Sequence, residues 1–372
     1  MTSARSALEL DCSGWSDWLR ARGESPAHAG ALFARFQRGR PSTQPLPERV
    51  WAAASELREP ALRVVDETPS AESSAQKFLL ELGDGQSIET VLMEYPGRAT
   101  VCVSTQAGCA MGCTFCATAQ MGFARQLRVG EIVAQVAFVR DLVAARGERL
   151  RNLVTMGMGE PLANYEAVIG ALDLLCDNRG LGLAPRHVTL NTVGVVPGIV
   201  RLADERRPYH LGVSLHGASD EARSRVVPVG KRWPLRELLD SCRYWSERTG
   251  RHVFFAWTLI EGVNDGAEDA RALVELLRGV PAHVNLIRLN PTAGYDGREP
   301  SEHAARTFQE TVRAAGLPCT IRRKKGVDVA AGCGQLRTTR LARRDRPARQ
   351  PATPSERAAA GSSVAKTSAK ST

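Results

Sequence analysis

Hydrophobic positions change their period twice along the 372 residues. Up to about residue 65 they recur at helical spacing in GWSDWLRARG, SPAHAGALFARFQRG and LPERVWAAASEL, with Ser25 placed as an N-cap and Pro26 at the first helical position. Residues 1–65 are therefore expected to form an N-terminal helical accessory domain. KFLLEL and SIETVLMEY then flank Gly83-Asp84-Gly85, so residues 66–98 are expected to form a β-hairpin extension. From residue 99 six strand-like runs (ATVCVST, NLVTMGM, HVTLNTV, YHLGVSLHG, HVFFAWTLI, HVNLIRLN) alternate with helical stretches. In the first of these stretches Val129, Ile132, Val133 and Val136 share one face. Such repeats predict an α/β fold, a partial (β/α)6 barrel over residues 99–336, with ligands at the C-terminal ends of its strands.

Composition adds a boundary at the other end. The net charge is +9, but from Leu336 onward nine Lys or Arg stand against two acids, so the first 335 residues carry only +2. Residues 337–372 combine that charge with Ala, Ser, Thr and Pro and almost no large apolar residue, and they read as a disordered basic tail. Weak attraction to RNA phosphates is the functional reading of the tail, and a solvated extension the plain one. No run approaches the length of a membrane span and no signal peptide is visible, so a cytoplasmic protein without membrane contact is expected. In that setting nine cysteines point to metal or redox chemistry and not to a disulfide framework.

Cys109, Cys113 and Cys116 lie within eight residues, in a loop after the first barrel strand. A zinc site commonly takes four protein ligands, and no His lies between Cys102 and His187 to complete one locally. Three thiolates on a short Gly-containing loop suit a [4Fe-4S] cluster with one open iron, the alternative being a zinc knuckle that recruits a distant cysteine. Cys12, Cys176, Cys242 and Cys319 read as buried small apolar residues.

VCVSTQAGCAMGCTFCATAQMGF, MGMGEPLANY, VGVVPGI, GVSLHGASDEARSRVVPV, EGVNDG, HVNLIRLNP and GCGQL follow one another in this order. With these motifs, residues 75–336 resemble the RlmN/Cfr-type RNA adenosine methyltransferases of the radical S-adenosylmethionine (SAM) superfamily. The resemblance implies a [4Fe-4S] cluster on Cys109, Cys113 and Cys116 and SAM bound through Gly159, Glu160, Asn191, Ser214, Leu215, His216 and Asn290. It implies methylation of Cys333, a resolving role for Cys102, and Glu89 as the acid-base carboxylate. The implied substrate is an adenosine ring carbon, carbon 2 or carbon 8, in 23S rRNA and/or tRNA. An electron donor such as flavodoxin or ferredoxin and a monomeric state are further expectations from it.

Read without the resemblance, Gly159-Glu160 is a strand-ending turn, His216 a core histidine and Glu89 a strand carboxylate facing solvent. Some positions depart from the family pattern. Asn191 replaces a usual Ser, Ala330 replaces the second acid of DIDAACGQL, Gly332 is expected to loosen the loop before Cys333, and Arg288 resembles the Cfr-like branch. Two rival readings remain, a radical SAM enzyme acting on a protein or small molecule, and a non-catalytic iron-sulfur RNA-binding protein. Arg322-Arg323-Lys324-Lys325 suits phosphate contacts under either RNA reading, or is a solvated strand end.

Anaerobic reconstitution should load about four irons per chain, and Cys113→Ala should lose both the cluster and SAM cleavage, because the cube then lacks a thiolate. Iron analysis and electron paramagnetic resonance of the variant check this, and a retained redox-active cluster contradicts the ligand assignment.

Overall fold

The computed structural model describes residues 6–39, 45–57 and 62–338. The tail beyond Thr338 lies outside the described residues. Asp11 opens α1 (Cys12–Arg20) by accepting a hydrogen bond from the Gly14 N–H at 2.7 Å. Ser25 caps a single 3-10 turn, from which α2 (Ala29–Arg38) continues to Gly39 in the left-handed region. Trp15 stacks on Phe36, and Phe36 packs on Trp51 of α3 (Glu48–Ser55), which joins the three helices through aromatic contact.

Four antiparallel strands follow, β1 (Arg63–Pro69), β2 (Ala75–Glu81), β3 (Ser87–Tyr95) and β4 (Arg98–Cys102). The β2–β3 hairpin falls where the sequence places it, but the periodicity does not show β1, and the expected boundary at 65/66 falls inside it. This strand lies at the sheet edge, is mostly exposed and carries an irregularity between Val64 and Asp66, so no clean alternation marks it.

The chain then runs through β5 (Gln106–Gly108), α4 (Ala117–Gln120), β6 (Phe123–Gln126), α5 (Val129–Ala145), β7 (Leu150–Val154) and α6 (Tyr165–Cys176). Next come β8 (Val188–Thr192), α7 (Val196–Asp204), β9 (His210–Ser214), α8 (Asp220–Val226) and α9 (Leu235–Thr249). It ends with β10 (Val253–Leu259), α10 (Ala267–Leu276), β11 (Ala282–Arg288), α11 (Glu302–Ala314) and β12 (Cys319–Ile321). The large sheet has the order β1-β2-β3-β4-β7-β8-β9-β10-β11-β12 and is parallel from β4 onward. All six predicted strands are present, and β12, three residues long and silent in the periodicity, adds a seventh parallel strand. Trp15, Phe33, Phe78, Val136, Val213 and Trp257 belong to one continuous buried core, so the helical segment and the barrel share their packing.

One buried amide fixes the chain as it leaves β4 toward the cysteine loop. Gln135 of α5 is fully buried; its Oε1 accepts from the Ser104 N–H and the Thr90 hydroxyl, both at 2.8 Å, and its Nε2 donates to the Ser104 and Glu131 carbonyls. Gln135→Leu keeps the volume but strands the Ser104 amide and the Thr90 hydroxyl, at about 1–3 kcal/mol for each unpaired group. Denaturant unfolding should show a loss on the order of 2–4 kcal/mol, and a change under about half a kilocalorie contradicts this role.

Candidate active site

The cysteine loop does not follow β4 directly. A two-stranded ribbon, β5 with β6, intervenes and closes the loop at its neck, where the Cys109 N–H donates to the Gly122 carbonyl at 2.8 Å. Gly108 has φ +78°, and a Cβ there would lie 2.0 Å from the Gly122 oxygen, so the neck requires glycine. Cys113 is buried, whereas Cys109 and Cys116 are partly exposed. Burial pushes the Cys109 thiol up to about 12 and raises Cys113 well above its ordinary value, and the two thiols and Cys116 act on one another. Among the described residues no three His, Cys, Asp or Glu side chains converge as ligands of one ion do. Thiolates of a cubane each take a different iron and need no such convergence.

At the strand ends beside this loop the sequence-expected contacts come together. Gly159 has φ +99°, and a Cβ there would meet Gln106 at 2.5 Å, so glycine lets the turn after β7 lie on β5. Glu160 is fully buried; it accepts from the Leu162 and Val193 N–H groups at 2.9 and 2.8 Å, and its charge is felt by Cys109 and Cys113. Burial raises its carboxyl to about 7. His216, two residues beyond β9, is a non-glycine residue at φ +60°, its ring edge-to-face with Phe115 of the cysteine loop at 5.1 Å. Its Nδ1 accepts from the Thr258 N–H at 2.8 Å, and burial with the Arg223 charge drops it to about 3, so the ring is neutral with Nε2 carrying the proton. Ser214 ends β9, Leu215 is buried and pairs its backbone with Ala256, and Asn191 lies beside Gly212 across β8 and β9. A Cβ at Gly212 would sit 2.2 Å from the Asn191 Oδ1, so the small neighbour makes room for Asn where the family pattern has Ser.

The segment carrying Cys333 is docked on this assembly. The Ala117 N–H donates to the Gly334 carbonyl at 2.7 Å, the Asn290 Nδ2 donates to the Cys333 carbonyl at 3.0 Å, and the Thr118 hydroxyl donates to the Leu336 carbonyl at 2.6 Å. Cys333 itself is exposed. Cys102, at the end of β4, is buried; burial first and the nearby Cys333 second push its thiol up to about 12. Gly332 does not loosen the loop as expected from sequence. A Cβ there would lie 2.7 Å from both the Asn290 Nδ2 and the Gln335 Oε1, so the glycine permits tight docking. Arg288 pairs with Glu299 at 3.2 Å and makes no other hydrogen bond or ion pair among the described residues. Of the basic run, Arg322 reaches the Met156 sulfur, Lys324 pairs with Glu299 and Lys325 donates to the Glu94 carbonyl. Arg323 is the one left without such a partner.

Comparison with known proteins agrees with this geometry. The profile of the radical SAM superfamily matches residues 103–277. The dual-specificity RNA methyltransferase RlmN 1 of Myxococcus xanthus is 51% identical over 350 residues, covering 92% of this chain and 96% of its own length. The chain belongs to the RlmN family of radical SAM RNA methyltransferases. The ribosomal RNA large subunit methyltransferase N of Nitrosopumilus maritimus is 47% identical over 72% of this chain and 78% of its own. A crystal structure of a radical SAM methyltransferase from Sphaerobacter thermophilus superposes with a TM-score of 0.85 at 41% identity, covering 89% of this chain and 99% of that one.

The family implies SAM and a [4Fe-4S] cluster, and the residues present fit both. Three thiols share one loop, Glu160 is a buried carboxylate without a cationic partner among the described residues, and the buried Asn290 Oδ1 has no hydrogen-bond partner. The resemblance named Glu89, but its surroundings in this RlmN-family site, and Arg223, escaped sequence reasoning. Glu89 is 3% exposed and not solvent-facing; its Oε1 pairs with the Lys77 Nζ at 3.0 Å and its Oε2 accepts from the Arg337 N–H at 2.7 Å. Lys77 sits on β2 diagonal to Glu89, a relation that becomes visible only with the hairpin register. Arg223, 1% exposed on α8, has an unpartnered Nε and lowers the Cys113 thiol by its charge. No ordinary signal marks a buried arginine in a helical run.

Because the folded value of Glu160 lies above the ordinary one, the protonated form favours the fold. Its contribution to stability is therefore lost as the pH rises from the usual carboxylate range through about 7. Glu160→Gln should remove a slope on the order of 2–3 kcal/mol between about pH 4.5 and 7.5 in the ligand-free protein. Unfolding measured across that range checks it, and a parallel pH profile for both proteins contradicts it.

Proposed function

We infer that this chain methylates a ring carbon of an adenosine, carbon 2 or carbon 8, in RNA of the 23S rRNA and/or tRNA class, through methylated Cys333 and a transient Cys102–Cys333 disulfide. The observation that carries the reading is the meeting of three chain segments, with Cys333 held by Asn290 and its neighbour Gly334 by Ala117 beside the cysteine loop, and with Cys333 acting electrostatically on buried Cys102. The ribosomal RNA named for one relative and the dual specificity named for another support the substrate class. No helix among the described residues is long and apolar enough to cross a membrane. We place the enzyme in the cytoplasm as a monomer reduced by a flavodoxin or ferredoxin.

Adenine carbons 2 and 8 are not nucleophiles, so ordinary methyl transfer fails there and a radical route is needed. Bound at Cys109, Cys113 and Cys116, the cluster with SAM would supply the methyl group and the radical that activates it. The protein does the rest. Glu160 would hold the SAM ammonium, and Gly159, Asn191, Ser214, Leu215, His216 and Asn290 would orient its remaining polar groups. The exposed Cys333 carries the methyl carbon to the base, and the docked segment keeps that sulfur in place. Glu89, buried and ion-paired with Lys77, is the acid-base carboxylate; burial raises its carboxyl above the ordinary value, and Lys77 is a positioning residue that works against that rise.

Release needs the second thiol. Once the base is joined to Cys333 through a methylene carbon, the ring carbon loses a proton and the adduct gives up its one unpaired electron, which the bound cluster would accept. Cys102 then attacks the Cys333 sulfur: a sulfur–sulfur bond forms, the carbon–sulfur bond breaks, and its electron pair goes to the carbon, which takes a proton. Burial and the neighbouring Cys333 hold the Cys102 thiol up at about 12, with the Arg322 charge acting only weakly against them, so the attack requires its proton to be removed as the sulfur–sulfur bond forms.

Mass spectrometry of nucleosides from RNA treated with the reconstituted enzyme tests the reading directly, the expected product being 2- or 8-methyladenosine. Cys102→Ala should still methylate Cys333 and cleave SAM, yet accumulate a protein–RNA adduct that survives denaturant, while Cys333→Ala should give none. Normal turnover by the Cys102 variant contradicts its role.

A further inference from the structure

A groove of about 1170 Å³ runs across the N-terminal ends of β4, β7 and β8, opposite the strand ends that carry the SAM-side residues. It is lined by Arg38, Arg98, Arg140, Arg149, Arg151 and Arg186, with His187 between strands and Glu148 as its one acid. Arg149, Arg151 and Arg186 are exposed, and their side chains make no hydrogen bond or ion pair among the described residues. Neighbouring acids are already engaged, Asp141 with Arg140 and Glu94 with Arg146. Arg38 donates to the Asn178 and Gly180 carbonyls, which fixes the wall without neutralising it. Partial burial, and after it the Arg151 and Arg186 charges, disfavour the protonated form of His187.

The groove connects to the Cys333 side through one residue. The Arg98 guanidinium lies 4.5 Å over the Tyr95 ring, and the Lys325 Nζ lies 4.2 Å from the same ring. Tyr95 in turn feels the charges of Arg322 and Cys333. A basic track thus leads from the methyl-bearing cysteine, past Tyr95 and Arg98, to Arg38 of the helical segment.

We propose that this groove binds the phosphate backbone of a double-helical stretch of the substrate RNA, away from the base being methylated. The proposal rests on the RNA-methyltransferase reading above. Surplus guanidinium groups in a concave site match paired phosphates, and no Phe, Tyr or Trp lines the groove to stack single-stranded bases. Nor does an exposed apolar anchor offer a protein partner the hot spot it needs. An electron donor must approach the cysteine loop, which lies toward the other ends of the strands.

The test compares the reconstituted full-length enzyme with Arg149→Ala/Arg151→Ala/Arg186→Ala and with the corresponding triple lysine variant. In vitro transcribed 23S rRNA and an acidic flavodoxin serve as probes. For the alanine variant the Kd for the RNA should rise about tenfold or more, and the slope of log Kd against log salt should fall by about 3, one for each lost phosphate contact. The lysine variant should keep most of the affinity. Unchanged affinity and slope overturn the proposal, and so does slower reduction by flavodoxin with RNA binding intact, which would make the groove a donor site. Weakened RNA binding in an enzyme that transfers no methyl group to RNA would leave the groove standing and remove the function proposed above; methyl transfer with unaltered binding would do the reverse.

Discussion

The hydrogen bond from the Ala117 N–H to the Gly334 carbonyl joins the loop of three cysteines to the last described segment of the chain. On the function proposed above, Cys333 must stay beside that loop while its side chain remains exposed to reach a base. The structure meets both demands by holding the segment through backbone atoms. Asn290 takes the Cys333 carbonyl, Gln335 bridges Gly332 and Pro291, and the Arg337 N–H goes to Glu89. Upstream, Asp328 accepts from Ser70 and Ala71 on the β1–β2 turn, and the Gly326 N–H donates to the Ser73 hydroxyl. Each such bond is worth only about 1 kcal/mol net, so the position of Cys333 depends on the set and not on one tether.

The departures from the family pattern act in opposite directions on that set. Ala330 has φ +50°, a left-handed conformation that short polar side chains such as Asp tolerate better than Ala. Losing the acid therefore strains the segment. Gly332 does the reverse, because its missing side chain lets Asn290 and Gln335 close around the backbone. Asn191 follows the same logic, being accommodated by a glycine on the adjacent strand.

The parallel sheet and the cysteine loop were legible in the sequence because they rest on local signals. Buried strands such as Val253–Leu259 read as continuous apolar runs, and three cysteines in eight residues form a ligand pattern that packing alone has no reason to produce. What escaped reading depends on pairing over distance. The edge strand β1 lacks alternation, β12 is too short to show a period, and the β5–β6 ribbon is closed by contacts between residues far apart in sequence. The burial of Glu89 is the clearest case. A glutamate in a strand reads as solvent-facing until the register sets Lys77 diagonal to it and the chain returns with Arg337.

Two isolated buried charges beside the cysteine loop show how such a site couples to its ligands. Arg223 has no carboxylate partner among the described residues and donates to the Val193 carbonyl, while Glu160 has only backbone and hydroxyl donors and no cation there. A buried charge without a counter-ion is costly, which is why burial lowers the one pKa and raises the other. The two do not pair with each other, because Glu160 leaves β7 toward Val193 and Arg223 lies on the far side of that residue's backbone. Their signs are complementary to the cluster and the SAM ammonium that the proposed function assigns to this site. On the function proposed above, ligand binding would relieve both costs and so link binding to stability.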